Sequence, residues 1–446
     1  MNRSTFPIML SKTDQKTQKA WAFYDWANSV YALVISTAIF PMFFNAVTSS
    51  GEGTDLSYEV VFFGRNFVNT ELYSYVMALS FIVVIFLSPI LSGIADATGK
   101  KKSFLRGFCY LGAAACASMY FFDVEHLEWS MLSVLLASIG YWSSIVFYNA
   151  YLPEIAEPKD HDRLSARGYS LGYIGSVILL IINLVMIMVI GDELVRWCFV
   201  LVAVWWAGFA QVTLRKLPSN PYNRKTSDKV LSKGITELKS AYRQALKIPV
   251  LIRYLIAFFV FSMAVQTIML MAQFFGMKEV TQVIGGVLTT GLTETQFIVA
   301  IILVQVIAIP GAFLFSRSSG KLGNIPTLIV ALICWIAVCL FAYFVVDTPN
   351  EFYVAAGCIG FMMGGTQSMS RSTYSKILPE TKDHASFFSL YDVLEKLGIV
   401  IGMLCFGYIE GITGSMRNSI LSLVFFFVIG LVLLFYAKAA KPATAT

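Results

Sequence analysis

The chain has 446 residues, of which 57% are hydrophobic and 13% charged, with a formal net charge of +6. A soluble domain of this length needs far more charge to cover its surface. Composition therefore argues against a soluble multi-domain enzyme, and the positive charge, which follows loops between apolar blocks, argues against a nucleic-acid partner.

Residues 1–19 are polar, carry Arg3, Lys12, Lys16 and Lys19, and read as a cytoplasmic tail without a cleavable signal peptide, because the apolar run behind them is too long for a signal sequence. Apolar blocks at 20–47, 71–97, 103–122, 130–153, 166–190 and 196–216 predict six membrane-spanning helices and a first bundle over 20–216. The polar segment 217–248 places Ile235, Leu238, Ala241, Tyr242, Ala245 and Leu246 three or four apart, the pattern of an amphipathic helix along the inner face, serving as tether or gate. Blocks at 249–276, 293–316, 325–346, 352–378, 384–410 and 417–438 predict six more spans and a second bundle over 249–438, before a cytoplasmic tail at 439–446.

Lys and Arg cluster on one side of these spans. They stand at Lys100, Lys101, Lys102 and Arg106, at Lys159, Arg163 and Arg167, and through the central segment from Arg215 to Arg253, including Lys225 and Lys229. The other side holds only Arg65, Arg196, Lys278 and Arg417, so both termini are expected in the cytoplasm. The halves also repeat. Leu152-Pro153-Glu154 returns as Leu378-Pro379-Glu380, Lys159-Asp160-His161 as Lys382-Asp383-His384, and Gly99-Lys100 as Gly320-Lys321, at offsets between 221 and 226 residues. A shared offset near half the chain implies two parallel six-helix repeats, the build of the major facilitator fold.

Polar residues inside the spans are the candidates for chemistry. Asp25, Asn28 and Ser29 share one face of span 1 at i, i+3, i+4 spacing. A carboxylate this far inside costs about 2.5–3.5 kcal/mol on insertion scales, which favours a proton carrier or the partner of a substrate amine over an inner-leaflet ion pair. Span 4 ends in Tyr148 and Asn149; Asn183, Gln266, Gln273 and Gln305 follow in spans 5, 7 and 8. Span 10 carries Gln367 and, one turn on, Arg371, a planar fork for a substrate carboxylate or a structural pair near the inner gate. In span 11, Asp392 and Lys396 are an i, i+4 pair, which leaves Glu395 in the cavity or paired elsewhere, with Arg371 as one partner. His126, His161 and His384 read as solvent-facing, and the seven cysteines suggest neither disulfide nor metal site. No catalytic or nucleotide-binding motif appears, so neither an enzyme nor a cofactor is expected.

The loop Ser92-Gly93-Ile94-Ala95-Asp96-Ala97-Thr98-Gly99-Lys100-Lys101 resembles the major facilitator signature G-x-L-A-D-R-x-G-R-R. Ser92 and Ala97 depart from it, thinning the charge network. A carboxylate at a span's inner end can accept from a helix N-terminus. The resemblance implies that Asp96, with Gly99, Lys100 and Lys101, latches the start of span 11 near His384, with Asp392 a further gating residue. In the second half Arg317 stands at the place of Asp96, so that copy is expected to work differently. Four stretches resemble the vacuole effluxer family, a major facilitator branch: Ala22-Phe23-Tyr24-Asp25-Trp26-Ala27-Asn28-Ser29 with Tyr31 behind it, Phe147 to Glu154, Val304-Gln305 with Pro310-Gly311-Ala312, and Gly364 to Gln367 with Ser370-Arg371-Ser372. The resemblance implies a cavity lined by spans 1, 4, 7 and 10, and efflux of amino acids.

The expectation is an all-α membrane protein of twelve transmembrane helices. It would be a monomer in the lipid bilayer of a bacterial inner membrane, moving an amino acid or similar zwitterion outward by alternating access with a coupling proton. Rival expectations are an exporter of drugs, peptides or other metabolites on the same fold, and a non-transporting membrane receptor or sensor.

Overall fold

The computed structural model describes residues 14–49, 58–224, 230–284 and 286–439; Arg3, Lys12, Lys225, Lys229 and the tail from 440 lie outside the described residues. Helix α1 (Gln15–Thr48) starts at Asp14, whose carboxylate accepts from the backbone N–H of Lys16 at 3.0 Å and of Thr17 at 3.3 Å. Its middle, Tyr31–Ala38, is wound as π-helix, and the Thr37 hydroxyl donates to the Ala32 carbonyl five residues back at 2.9 Å. Apolar blocks cannot reveal that widened turn, because it changes hydrogen-bond register and not composition.

Next come α2 (Asn69–Thr98), α3 (Lys101–Ser118), α4 (Leu127–Asn149), α5 (His161–Ile190) and α6 (Val195–Lys216). Helix α7 (Val230–Leu246) lies in the central segment, followed by α8 (Pro249–Lys278), α9 (Glu294–Leu322), α10 (Asn324–Phe344), α11 (Pro349–Ile377), α12 (His384–Thr413) and α13 (Met416–Lys438). Among the described residues nine helices are long and apolar enough to cross a bilayer. The others in the span series are α3, α11 and α12, of which α12 carries Asp392, Glu395 and Lys396 mid-helix. The fold is thus the expected all-α membrane architecture.

Two antiparallel hairpins were not anticipated. Strands β1 (Glu59–Phe62) and β2 (Arg65–Val68) precede α2, and β3 (Thr281–Ile284) and β4 (Val287–Thr290) precede α9. They stand 222 residues apart, so even the connecting loops are duplicated.

The chain forms two compact units. The first comprises Met1–Ile155, Leu171–Leu238 and Lys382–Ser389; the second comprises Ala156–Ser170, Lys239–Thr381 and Leu390–Thr446. Each half therefore contributes one short segment, the first turns of α5 or of α12, to the other unit.

Within the first unit small residues let backbones approach: a Cβ at Gly140 would stand 2.5 Å from the Gly112 Cα, joining α3 to α4. In the second unit α9 and α11 pack the same way, with Gly360 against Val304 and Gly364 against Ala308. The predicted amphipathic helix is α7. Gly234 abuts Ile94 on α2, and Ala241 and Ala245 are buried, but Ile235 and Leu246, which the spacing puts on the buried face, are 38% and 72% exposed.

Candidate functional site

Three groups of ionisable side chains stand out, and each lies within one unit. In the first unit, α1 and α4 bring together the span 1 carboxylate and the aromatic end of span 4. The Tyr148 phenol donates to Asp25 Oδ2 at 2.9 Å. Tyr148 is itself fixed by the Trp21 ring, stacked on it at 4.5 Å, while the Trp21 indole donates to the Tyr148 carbonyl at 2.9 Å. Asp25, Asn28 and Asn149 are buried, and the Asn28 Oδ1 has no hydrogen-bond partner in the structure. Tyr31 is buried in the aromatic core, its ring 4.8 Å from Tyr141 and 5.9 Å from Trp206.

In the second unit, α8 and α12 form a charged group. Lys396, fully buried, pairs with Asp392 one turn back and approaches Glu395 Oε2 at 3.3 Å. The other Glu395 oxygen accepts from the Gln266 amide at 2.8 Å. Two carboxylates thus share one ammonium in a helix bundle, with a neutral amide completing the shell of Glu395. Such a group can take up a proton or an amine with little rearrangement.

Arg371 was expected to hold a substrate or to form a structural pair, and the structure fastens it to the start of α5. Its Nε donates to the Ser165 hydroxyl and an Nη to the Ser165 carbonyl, both at 2.9 Å, and its guanidinium lies 4.1 Å above the Tyr169 ring. The contacts given for Glu395 are with Gln266 and Lys396. Gln367 is half-buried and donates to the Met269 sulfur at 3.5 Å; Gln305 is also half-buried.

The third group is double, one copy in each unit. In the first unit, Asp96 at the end of α2 accepts from the backbone N–H groups of Ala385 at 3.2 Å and Ser386 at 2.7 Å, at the start of α12. Exposed N–H groups at a helix start and the helix dipole both favour an anion there. Gly99 has φ +70°, closing α2 where a side chain would be strained, and Lys100 opens α3. Lys101 Nζ pairs with Glu154 at 2.5 Å, and the same Glu154 oxygen meets His384 Nδ1 at 3.2 Å. Arg224 from the central segment pairs with Asp383 at 2.5 Å. Tyr222, 3.3 Å from His384, has its phenol pushed well up by burial and by the neighbouring Glu154 and Asp96.

His161 and His384 correct the sequence reading: both are buried, and only His126 of the three is exposed. Burial is possible because the His161 Nε2 faces the Ala156 carbonyl at 3.1 Å and His384 faces Glu154.

The matching group in the second unit has the opposite polarity. Arg317 is exposed, and Ser319, 223 residues after Asp96, occupies the inner position. The carboxylate comes from Asp162 at the start of α5, which accepts from Ser319 Oγ at 2.7 Å, Asn324 Nδ2 at 2.7 Å and Lys376 Nζ at 2.5 Å. Asp162, Ser165, Ser319 and Lys376 were missed as functional candidates. Their signal was the repeat itself: Lys159-Asp160-His161 and Lys382-Asp383-His384 mark the two helix starts that carry these groups.

Comparison with known proteins agrees with this architecture. The family model described as vacuole effluxer Atg22 like matches residues 13–445. A Bacillus subtilis (strain 168) protein described as an uncharacterized MFS-type transporter, YxiO, is 28% identical over 434 residues, covering 95% of each chain. Autophagy-related protein 22 of Eremothecium gossypii is 25% identical over 405 residues, covering 82% of this chain and 77% of that protein. Among solved structures, the E. coli fucose:proton symporter FucP matches with a TM-score of 0.63 at 12% identity, covering 95% of this chain and 98% of the other, a likeness of fold.

Proposed function

The chain belongs to the vacuole effluxer Atg22-like family, multi-pass membrane transporters of the major facilitator fold, and from that premise we propose that it exports an amino acid or similar zwitterion. Transport proceeds by alternating access and is coupled to a proton. The observation that carries this reading is the group of Asp392, Glu395 and Lys396 with Gln266, where two carboxylates share one buried ammonium. A zwitterion supplies an ammonium to such a site, and a proton competes for the same carboxylate, which links the two fluxes. Asp25, with Asn28, Tyr148 and Asn149, offers a second acidic station in the other unit, and Gln367 and Gln305 supply neutral hydrogen bonds. Asp96 with Gly99, Lys100 and Lys101 acts as a latch on α12. The basic loops face the cytoplasm of a bacterial inner membrane, and the protein works as a monomer.

The test is counterflow and pH-driven flux in proteoliposomes with a mixture of labelled amino acids. Native protein is expected to show both. Glu395→Gln is expected to keep counterflow and lose the response to a pH gradient. No flux with any amino acid would remove the substrate class, and an unchanged pH response in Glu395→Gln would remove Glu395 as the coupling group.

A further inference from the structure

One charged cluster takes no part in these groups. Helices α3 and α6 pack side by side in the first unit, and where α3 begins and α6 ends they leave a cleft of about 370 Å³. Three cations line it, Lys102 and Arg106 from α3 and Arg215 from α6, together with Ser103, Tyr110 and Gln211. No acidic residue lines the cleft, and none of the three cations forms an ion pair among the described residues. Lys102 is held in place by its hydrogen bond to the Leu217 carbonyl at 2.8 Å, and the Tyr110 hydroxyl donates to Gln211 at 3.2 Å. Elsewhere at this end of the unit the cations are paired: Lys101 with Glu154 and Arg224 with Asp383. Cations converging without a counter-charge gain most from a shared anion, and guanidinium forks fit phosphate oxygens in pairs.

The walls of the cleft continue along both helices as an apolar stripe. Ser103, Arg106, Gly107 and Tyr110 share one face of α3, and Gly208, Gln211, Val212 and Arg215 share one face of α6. A Cβ at Gly107 or Gly208 would meet nothing within 4 Å, and Tyr110 and Val212 are 42% and 45% exposed. A phosphate in the cleft would therefore have room for its hydrocarbon tail along exposed helix faces. We propose that this cleft is a binding site for the headgroup of an anionic phospholipid, with an acyl chain running up the α3–α6 face.

The test uses the full-length protein in detergent, titrated with dioctanoyl phosphatidylglycerol, dioctanoyl phosphatidylcholine and glycerol phosphate, with bound copies counted by native mass spectrometry. Phosphatidylglycerol is expected to bind, and the other two are not. The double variant Arg106→Gln, Arg215→Gln is expected to lose roughly 30-fold in affinity, about fivefold for each basic residue near an anionic lipid surface. Arg106→Lys, Arg215→Lys, which keeps the charge but not the forks, should fall between. Lys239→Gln, Arg243→Gln, which removes two exposed cations of α7, should leave binding unchanged. The site is overturned if Arg106→Gln, Arg215→Gln binds phosphatidylglycerol as native protein does. Equal loss in the α7 variant, or equally tight binding of glycerol phosphate, overturns it as well.

Discussion

At Asp25 the phenol of Tyr148 supplies a hydrogen bond to a carboxylate, a kind worth about 1.5–3 kcal/mol. Asp25→Asn is expected to abolish transport while the purified protein keeps its helical circular dichroism; unchanged flux would remove Asp25 from the pathway. Tyr148→Phe keeps the ring stacked on Trp21 and removes only the donor, so flux should fall by roughly tenfold to a hundredfold on that energy. Arg371 makes the opposite prediction. Its two bonds to Ser165 and its contact with Tyr169 tie α11 to the start of α5 inside one unit. Arg371→Lys keeps the charge but cannot reproduce the planar fork, so thermal unfolding in detergent should shift down, corresponding to about 1–3 kcal/mol, with little change in substrate affinity. A lowered affinity at unchanged melting temperature would assign Arg371 to the substrate instead. The candidates legible in the sequence were ionisable residues with no reason to be in a span; their partners were not, because Asp25 and Tyr148 lie 123 residues apart and Arg371 and Ser165 lie 206 apart.

At the scale of helices, length and greasiness are local properties, so every span could be placed from composition alone. The π-helical stretch of α1 and the two hairpins could not, since both depend on hydrogen-bond register. The tight pair α9 and α11 rests on Gly360 and Gly364, which meet Val304 and Ala308 backbone. Gly364→Leu should force the two apart and lower the melting temperature sharply, whereas the same change at Gly357, whose Cβ would meet nothing within 4 Å, should be nearly silent. Asp162 links the start of α5 to α11 through Lys376 and to the start of α10 through Asn324. A double-mutant cycle of Asp162→Asn with Lys376→Gln is expected to show a coupling energy of about 0.5–3 kcal/mol in unfolding measurements, and additive effects would mean that the pair does not act as a unit.

For the whole molecule, the duplication was readable from short motifs at one offset, and it proved to extend to the hairpins. Orientation follows from the basic loops and can be checked directly. In a chain with the seven native cysteines replaced, Lys216→Cys should react with an impermeant thiol reagent only from the cytoplasmic side, and Lys278→Cys only from the outside. The two inner groups carry a further consequence. Asp162 and Ala385 occupy corresponding positions, 223 residues apart, yet one brings a carboxylate to a site rich in donors and the other brings N–H groups to a carboxylate. A pair of identical amino-terminal halves would set Asp162 against Asp96, acid against acid, and a pair of carboxy-terminal halves would leave Lys376 without its anion. Sister copies therefore repel themselves and recognise only each other, the mark of an ancestral self-paired bundle that has become an obligate mixed couple after its gene doubled.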